Sequence, residues 1–71
     1  MHSIETLKNL LNSGASLRID AKTVSLNSLN ELAAIAHTNS ALLIITHANQ
    51  ILKDSLERLA VVGGVFIRFE F

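Results

Sequence analysis

The residues best suited to chemistry lie in two short polar segments, each directly after an apolar run. Asp20 and Lys22 belong to the first segment, and Thr46 and His47 to the second. A carboxylate beside an imidazole forms an acid and base pair that can exchange a proton near neutral pH. A nearby lysine could steer an anion. One hypothesis is therefore a small-ligand binder or enzyme that uses Asp20, Lys22 and His47.

Strands are expected to bring these residues together. Residues 16–20 alternate polar and apolar side chains, which is typical of a half-buried strand, whereas residues 42–45 are apolar throughout and fit a central strand. Residues 65–71 also alternate, which predicts a last strand with residues 65, 67, 69 and 71 on one face. Because ligands of open α/β sheets bind beyond the carboxyl ends of the strands, Asp20 and His47 are expected to be neighbours there.

Three stretches with helical spacing of apolar residues surround these strands. The first covers residues 3–13 with Ser3 as its N-cap, the second opens on the capping-box spacing of Ser28 and Glu31, and the third ends at Gly63. Gly63 and Gly64 join a helix to a strand, the reverse of a phosphate loop, so we interpret them as a helix C-cap. The sequence predicts one α/β domain over residues 1–71, in the order αβαβαβ, with a three-stranded, mostly parallel sheet and helices on one face.

An internal repeat supports this arrangement. Leu17 and Ile19 recur as Leu43 and Ile45, 26 positions later, and the same offset places Asp20 opposite Thr46. The motifs Leu-x-Ile-Asp, Leu-x-x-Leu-Ala-x-x-Gly and Val-Phe-Ile-Arg-Phe-Glu-Phe extend the pattern over residues 15–71. The pattern resembles the short βα repeats of uncharacterised bacterial proteins and, more distantly, leucine-rich repeats. This resemblance implies an interaction scaffold of stacked strand and helix units.

The face of the sheet without helices is the second candidate site. By alternation it is expected to carry Arg18, Asp20, Phe66, Arg68 and Glu70. An exposed phenylalanine beside an apolar central strand could seed a protein contact, and the open edge of the last strand invites strand addition. The leading hypothesis is accordingly a non-enzymatic interaction module that forms a homo-oligomer, or binds a protein partner, through the open face or the last strand.

Composition argues against several other classes. Six basic residues are balanced by six acidic ones and lie scattered among them, which disfavours nucleic-acid binding. With no cysteine there is no thiolate nucleophile, and His37 and His47 are expected at opposite ends of the sheet, so neither a metal site nor a cofactor is predicted. The start lacks a signal-peptide pattern and the longest apolar run, residues 41–45, is far too short to span a bilayer. A cytoplasmic protein without a membrane segment is expected.

Overall fold

Three helices alternate with three parallel strands in the computed structural model, which describes residues 4–71. Two single 3₁₀ turns flank the third helix. The strands lie in the order β1-β2-β3, and the αβαβαβ prediction is confirmed. The elements are α1 (Ile4–Asn12), β1 (Leu17–Asp20), α2 (Leu26–Thr38), β2 (Leu43–Thr46), a turn at Ala48–Gln50, α3 (Lys53–Gly63), a turn at Gly64–Phe66, and β3 (Ile67–Phe69).

The register of the sheet follows the internal repeat. Leu17 lies opposite Leu43, and Asp20 lies opposite Thr46, so the 26-residue offset is also the pairing offset. Between β2 and β3 the offset falls to 24, with Leu43 opposite Ile67. Each strand thus repeats the same inward and outward alternation as its neighbour.

All three helices pack on the face of the sheet that carries the inward residues of the strands. The large side chains that are fully buried come from α1, α2, α3 and β2, and they form one cluster. Partly buried residues of β1 and β3 pack against it. No polar or charged residue among those described is fully buried, so apolar burial supplies the stability of this layer. The large buried residues are Leu11, Leu29, Leu32, Leu43, Ile45 and Leu59.

The turns from helix to strand share one backbone feature. Gly14, Ser40 and Gly64 each have a positive φ, of 87°, 53° and 59°, and each lies three residues before the first residue of a strand. A positive φ reverses the chain at a helix C-terminus, as an αL cap does. At Gly64 the ψ of −135° adds a conformation that side chains disfavour, so glycine suits this position.

The last strand is shorter than the alternation of residues 65–71 predicts. The turn at Gly64–Phe66 delays extended backbone until Ile67. Ile67 and Phe69 pack against the core, as expected, but Val65 is 86% exposed and Phe71 is 75% exposed. Val65 and Phe71 thus lie outside β3 and do not pack against the core, although the Phe71 ring contacts that of Phe69.

Phe66 does not lie where the sequence predicted. Its ring meets the edge of the His37 ring, with centroids 5.7 Å apart, and His37 belongs to the last turn of α2. The Nδ1 atom of His37 also lies 3.2 Å from the Gly63 carbonyl oxygen. Because the 3₁₀ turn rotates Phe66 out of the strand alternation, this side chain packs beside the helices and is not part of the open face.

The start of α2 also differs from the prediction. Ser25 is the N-cap, and its Oγ accepts a hydrogen bond of 3.2 Å from the Ser28 amide. Ser28, proposed above as the capping residue, is thus inside the first turn, and the capping box with Glu31 is wrong. The predicted N-cap Ser3 lies outside the described residues.

Candidate functional site

The carboxyl ends of β1 and β2 bring Asp20 and His47 into contact. Asp20 is the last residue of β1, and His47 directly follows Thr46, the last residue of β2. The Nδ1 atom of His47 lies 3.2 Å from Oδ1 of Asp20. The contact expected from the repeat is thus present, between side chains that are 50% and 35% exposed, respectively.

Local hydrogen bonds hold this pair. Oδ1 of Asp20 accepts a bond of 2.8 Å from the Lys22 amide, which closes an Asx turn after β1. The Thr46 hydroxyl donates to the Ile19 carbonyl oxygen at 3.2 Å and ties the two strands together. His47 has a φ of 55°, a left-handed conformation that is uncommon for residues other than glycine and is most frequent among the rest in asparagine, aspartate and histidine. Such backbone positions occur both in tight turns and in functional sites.

The geometry does not arrange these residues as a nucleophilic triad. In such a triad the carboxylate and the hydroxyl contact opposite nitrogens of the imidazole. Here the Thr46 hydroxyl, at 3.4 Å, and the Asp20 carboxylate both approach Nδ1 of His47. The contact that Lys22 makes with Asp20 uses its backbone amide, and its side chain is exposed. Residues 4–71 contain no cluster of three or more potential metal ligands.

The open face of the sheet carries charges that compensate one another. Arg18, Ile44 and Arg68 lie in one row across the three strands. Nη2 of Arg18 lies 2.6 Å from Oε1 of Glu70, so this ion pair reaches from β1 to the end of β3 across the central strand. Sequence reasoning placed these residues on one face but missed the ion pair, because only the three-strand register brings them together.

The outer edge of β3 is the third candidate surface. Within residues 4–71, β3 pairs with β2 alone. The Glu70 amide donates to the Ile45 carbonyl oxygen at 2.9 Å, and its carbonyl oxygen accepts from the Ala48 amide at 3.0 Å. Backbone groups alternate in direction along a strand, so those of Ile67, Phe69 and Phe71 point away from β2. The Ile67 amide already donates to the Gly64 carbonyl oxygen. We call this row the β3 edge.

Apolar side chains flank the β3 edge. Val65 precedes it and Phe71 ends it, and both are largely exposed. The rings of Phe69 and Phe71 contact each other at a centroid distance of 6.4 Å. An unpaired strand with exposed apolar residues at both ends is a typical template for association.

No known relative assigns a role to any of these surfaces. The chain matches no protein-family model, no curated protein and no solved structure. The repeat resemblance therefore remains a prediction, and the functional case rests on the residues described above. None of the helices within residues 4–71 is long and apolar enough to cross a membrane.

Proposed function

We propose that this chain is a non-enzymatic interaction module that associates with a second copy of itself through the β3 edge. The observation that carries the proposal is the exposure of Phe71, at 75%, just beyond an edge strand that has no partner strand on its outer side among the described residues. Strand addition would supply hydrogen bonds to the outward backbone groups other than the Ile67 amide, and it would cover the phenylalanine ring. A single contact at the β3 edge would thus provide both hydrogen bonds and apolar burial.

Of the two association surfaces considered from sequence, the β3 edge is favoured over the open face. Arg18 and Glu70 already neutralise each other on that face, and their side chains are 67% and 43% exposed to water. Phe66, which was expected to form an apolar protein contact on this face, packs beside His37. A surface of compensated, hydrated charges offers less free energy for association than an unpaired apolar edge.

The end of the sheet opposite β3, formed by β1 and α1, is more polar. The exposed residues of α1 include Glu5, Asn9 and Asn12, and its most exposed large apolar residue, Leu10, reaches 39%. In stacked repeats a polar outer face marks a capped end. The end formed by β3 instead carries the exposed Val65 and Phe71, which favours it as the associating end.

Light scattering over a concentration series tests this function. We expect the wild-type chain to form dimers and Phe71→Asp to remain monomeric, because a carboxylate would have to be desolvated in the contact. Val61→Asp is the matched control, since Val61 is 82% exposed and lies on the side of α3 opposite the buried Leu59. A wild-type chain that stays monomeric at all concentrations refutes the proposal, as does a Val61→Asp effect equal to that of Phe71→Asp.

A second candidate is a small-ligand site at Asp20, Lys22 and His47, favoured by the contact of 3.2 Å between the carboxylate and the imidazole. Inorganic phosphate is a suitable anionic probe. If this candidate is correct, phosphate shifts the His47 ring resonances in nuclear magnetic resonance spectra, and Lys22→Ala removes the shift. Unchanged resonances at millimolar phosphate would contradict it.

A further inference from the structure

We infer that two copies pair through β3 in antiparallel orientation about a two-fold axis at Phe69, with Arg68 of each copy opposite Glu70 of the other. This inference rests on the proposed function and deepens it, because it specifies the register and the symmetry of the contact. The partner is a second copy of this chain.

Backbone geometry restricts the registers that are available. In an antiparallel pair, residues whose amide and carbonyl point outward must face residues that also point outward. On the β3 edge these are Ile67, Phe69 and Phe71, and Ile67 offers only its carbonyl oxygen because its amide donates to the Gly64 carbonyl oxygen. A two-fold axis that passes through one residue satisfies this condition, so the axis can lie at Arg68, Phe69 or Glu70.

Charge distinguishes these three registers. An axis at Arg68 places Arg68 opposite its own copy, and an axis at Glu70 does the same with Glu70. Like charges directly opposite each other on a sheet are destabilising. An axis at Phe69 instead creates two Arg68 and Glu70 pairs, at positions without backbone hydrogen bonds between them, where side chains are closest. Each Glu70 carboxylate would then bind Arg68 of the other copy in addition to Arg18 of its own chain.

The same register also covers the apolar residues. Phe71 then lies opposite Ile67, which packs against the helical core, and the two Phe69 residues face each other at the axis. Phe71 already contacts Phe69 within one chain. The four phenylalanine rings would thus form one cluster on the helical side, while the charge pairs lie on the open face.

The alternative of head-to-tail stacking is disfavoured by the same charges. In the existing register Arg18 lies opposite Ile44, and Ile44 lies opposite Arg68. Adding the first strand of another copy to the β3 edge in this register would place its Arg18 beside Arg68 and its Asp20 beside Glu70. Both contacts join like charges, so a closed dimer is favoured over an open filament.

A pair of charge reversals tests the cross-strand contacts. Arg68→Glu makes both positions acidic and Glu70→Arg makes both basic, so each variant alone should dimerise about tenfold or more weakly than wild type. An equimolar mixture should recover a dimer, because every acidic position then faces a basic one. Arg58→Glu, at an exposed position on α3, is the control for net charge and should dimerise like wild type. Circular dichroism confirms the fold of each variant.

Disulfide trapping then determines the register, because the chain has no cysteine of its own. Opposite Cα atoms about 4.5–5.5 Å apart permit a disulfide, whereas those more than about 7 Å apart do not. We expect a mixture of Arg68→Cys and Glu70→Cys chains to form a mixed disulfide. Efficient self-linking of Arg68→Cys alone, or of Glu70→Cys alone, identifies another axis and overturns the register.

These experiments distinguish a failure of self-association from a failure of the pairing register. A wild-type chain without self-association overturns both. A wild-type dimer without recovery in the mixture of charge reversals, or without the mixed disulfide, overturns the pairing at Phe69 and leaves association through another contact.

Discussion

Replacing Gly63 with alanine should destabilise the fold, although alanine is the better helix former. Gly63 is buried in the last turn of α3, and a Cβ atom there would overlap Cγ1 of Ile67 and lie 2.7 Å from its Cδ1 and 3.0 Å from its Cβ. Ile67 begins β3 and packs against the core. Its side chain cannot move away without loss of that packing.

The magnitude follows from two opposing terms. Forcing an extra methyl group into a packed site costs about 1–3 kcal/mol. The higher helix propensity of alanine offsets at most about 1 kcal/mol, and less at the end of a helix. We therefore expect a net loss of about 1–2 kcal/mol. For a chain of this length, that loss lowers the Tm by roughly 5–15 °C.

Thermal unfolding monitored by circular dichroism measures this effect, and the Ile67→Ala background provides its control. Ile67→Ala removes the atoms that a new methyl group would meet at shortest range, so Gly63→Ala should be almost neutral there. A Tm that rises in Gly63→Ala would refute the reasoning, because propensity alone would then decide. An equal loss in both backgrounds would show that the overlap with Ile67 is not the cause.

Two further predictions concern α2. Ser25→Ala removes the N-cap that accepts from the Ser28 amide and should reduce the free energy of unfolding by about 1 kcal/mol in urea denaturation, whereas Ser16→Ala should change it little. The Lys8 ammonium lies 2.6 Å from Glu31, and this hydrogen bond raises the pKa of Lys8 above its usual 10.5. The contact with Glu31 therefore stabilises the fold fully below pH 10.5, and this stabilisation is lost as the pH rises through the raised pKa of Lys8. Between these two pH values the Tm of Lys8→Met should decline less than that of the wild type.

Most of the architecture could be predicted because the spacing of apolar residues along the chain follows which side chains are buried. The alternation at Leu17 and Ile19, and its recurrence 26 residues later, indicated both the strands and their register. Helix starts were less predictable, since the spacing of Ser28 and Glu31 matches a capping box although Ser25 makes the cap. Two serines lie near this helix start, and the spacing to Glu31 indicates the one that does not make the cap.

The candidate sites were predictable to different degrees. The contact between Asp20 and His47 follows from the repeat, because equivalent positions of adjacent parallel strands are neighbours. The left-handed backbone of His47 could not be predicted, because histidine adopts this conformation more often than most residues but still only rarely. Phe66 was misplaced because strict alternation continues through the 3₁₀ turn, where side-chain directions no longer alternate.

The parallel register determines how the chain must fold. No two strands are joined by a hairpin, and the paired residues of neighbouring strands are separated by 26 or 24 positions. The entropy lost on closing a loop varies only slowly with its length, so neither strand pair has an advantage in closure. No strand pair of the sheet can therefore form from neighbouring residues alone. We expect the unit of α2 and β2, which contacts α1, α3, β1 and β3, to form first, and the outer strands to add to it last.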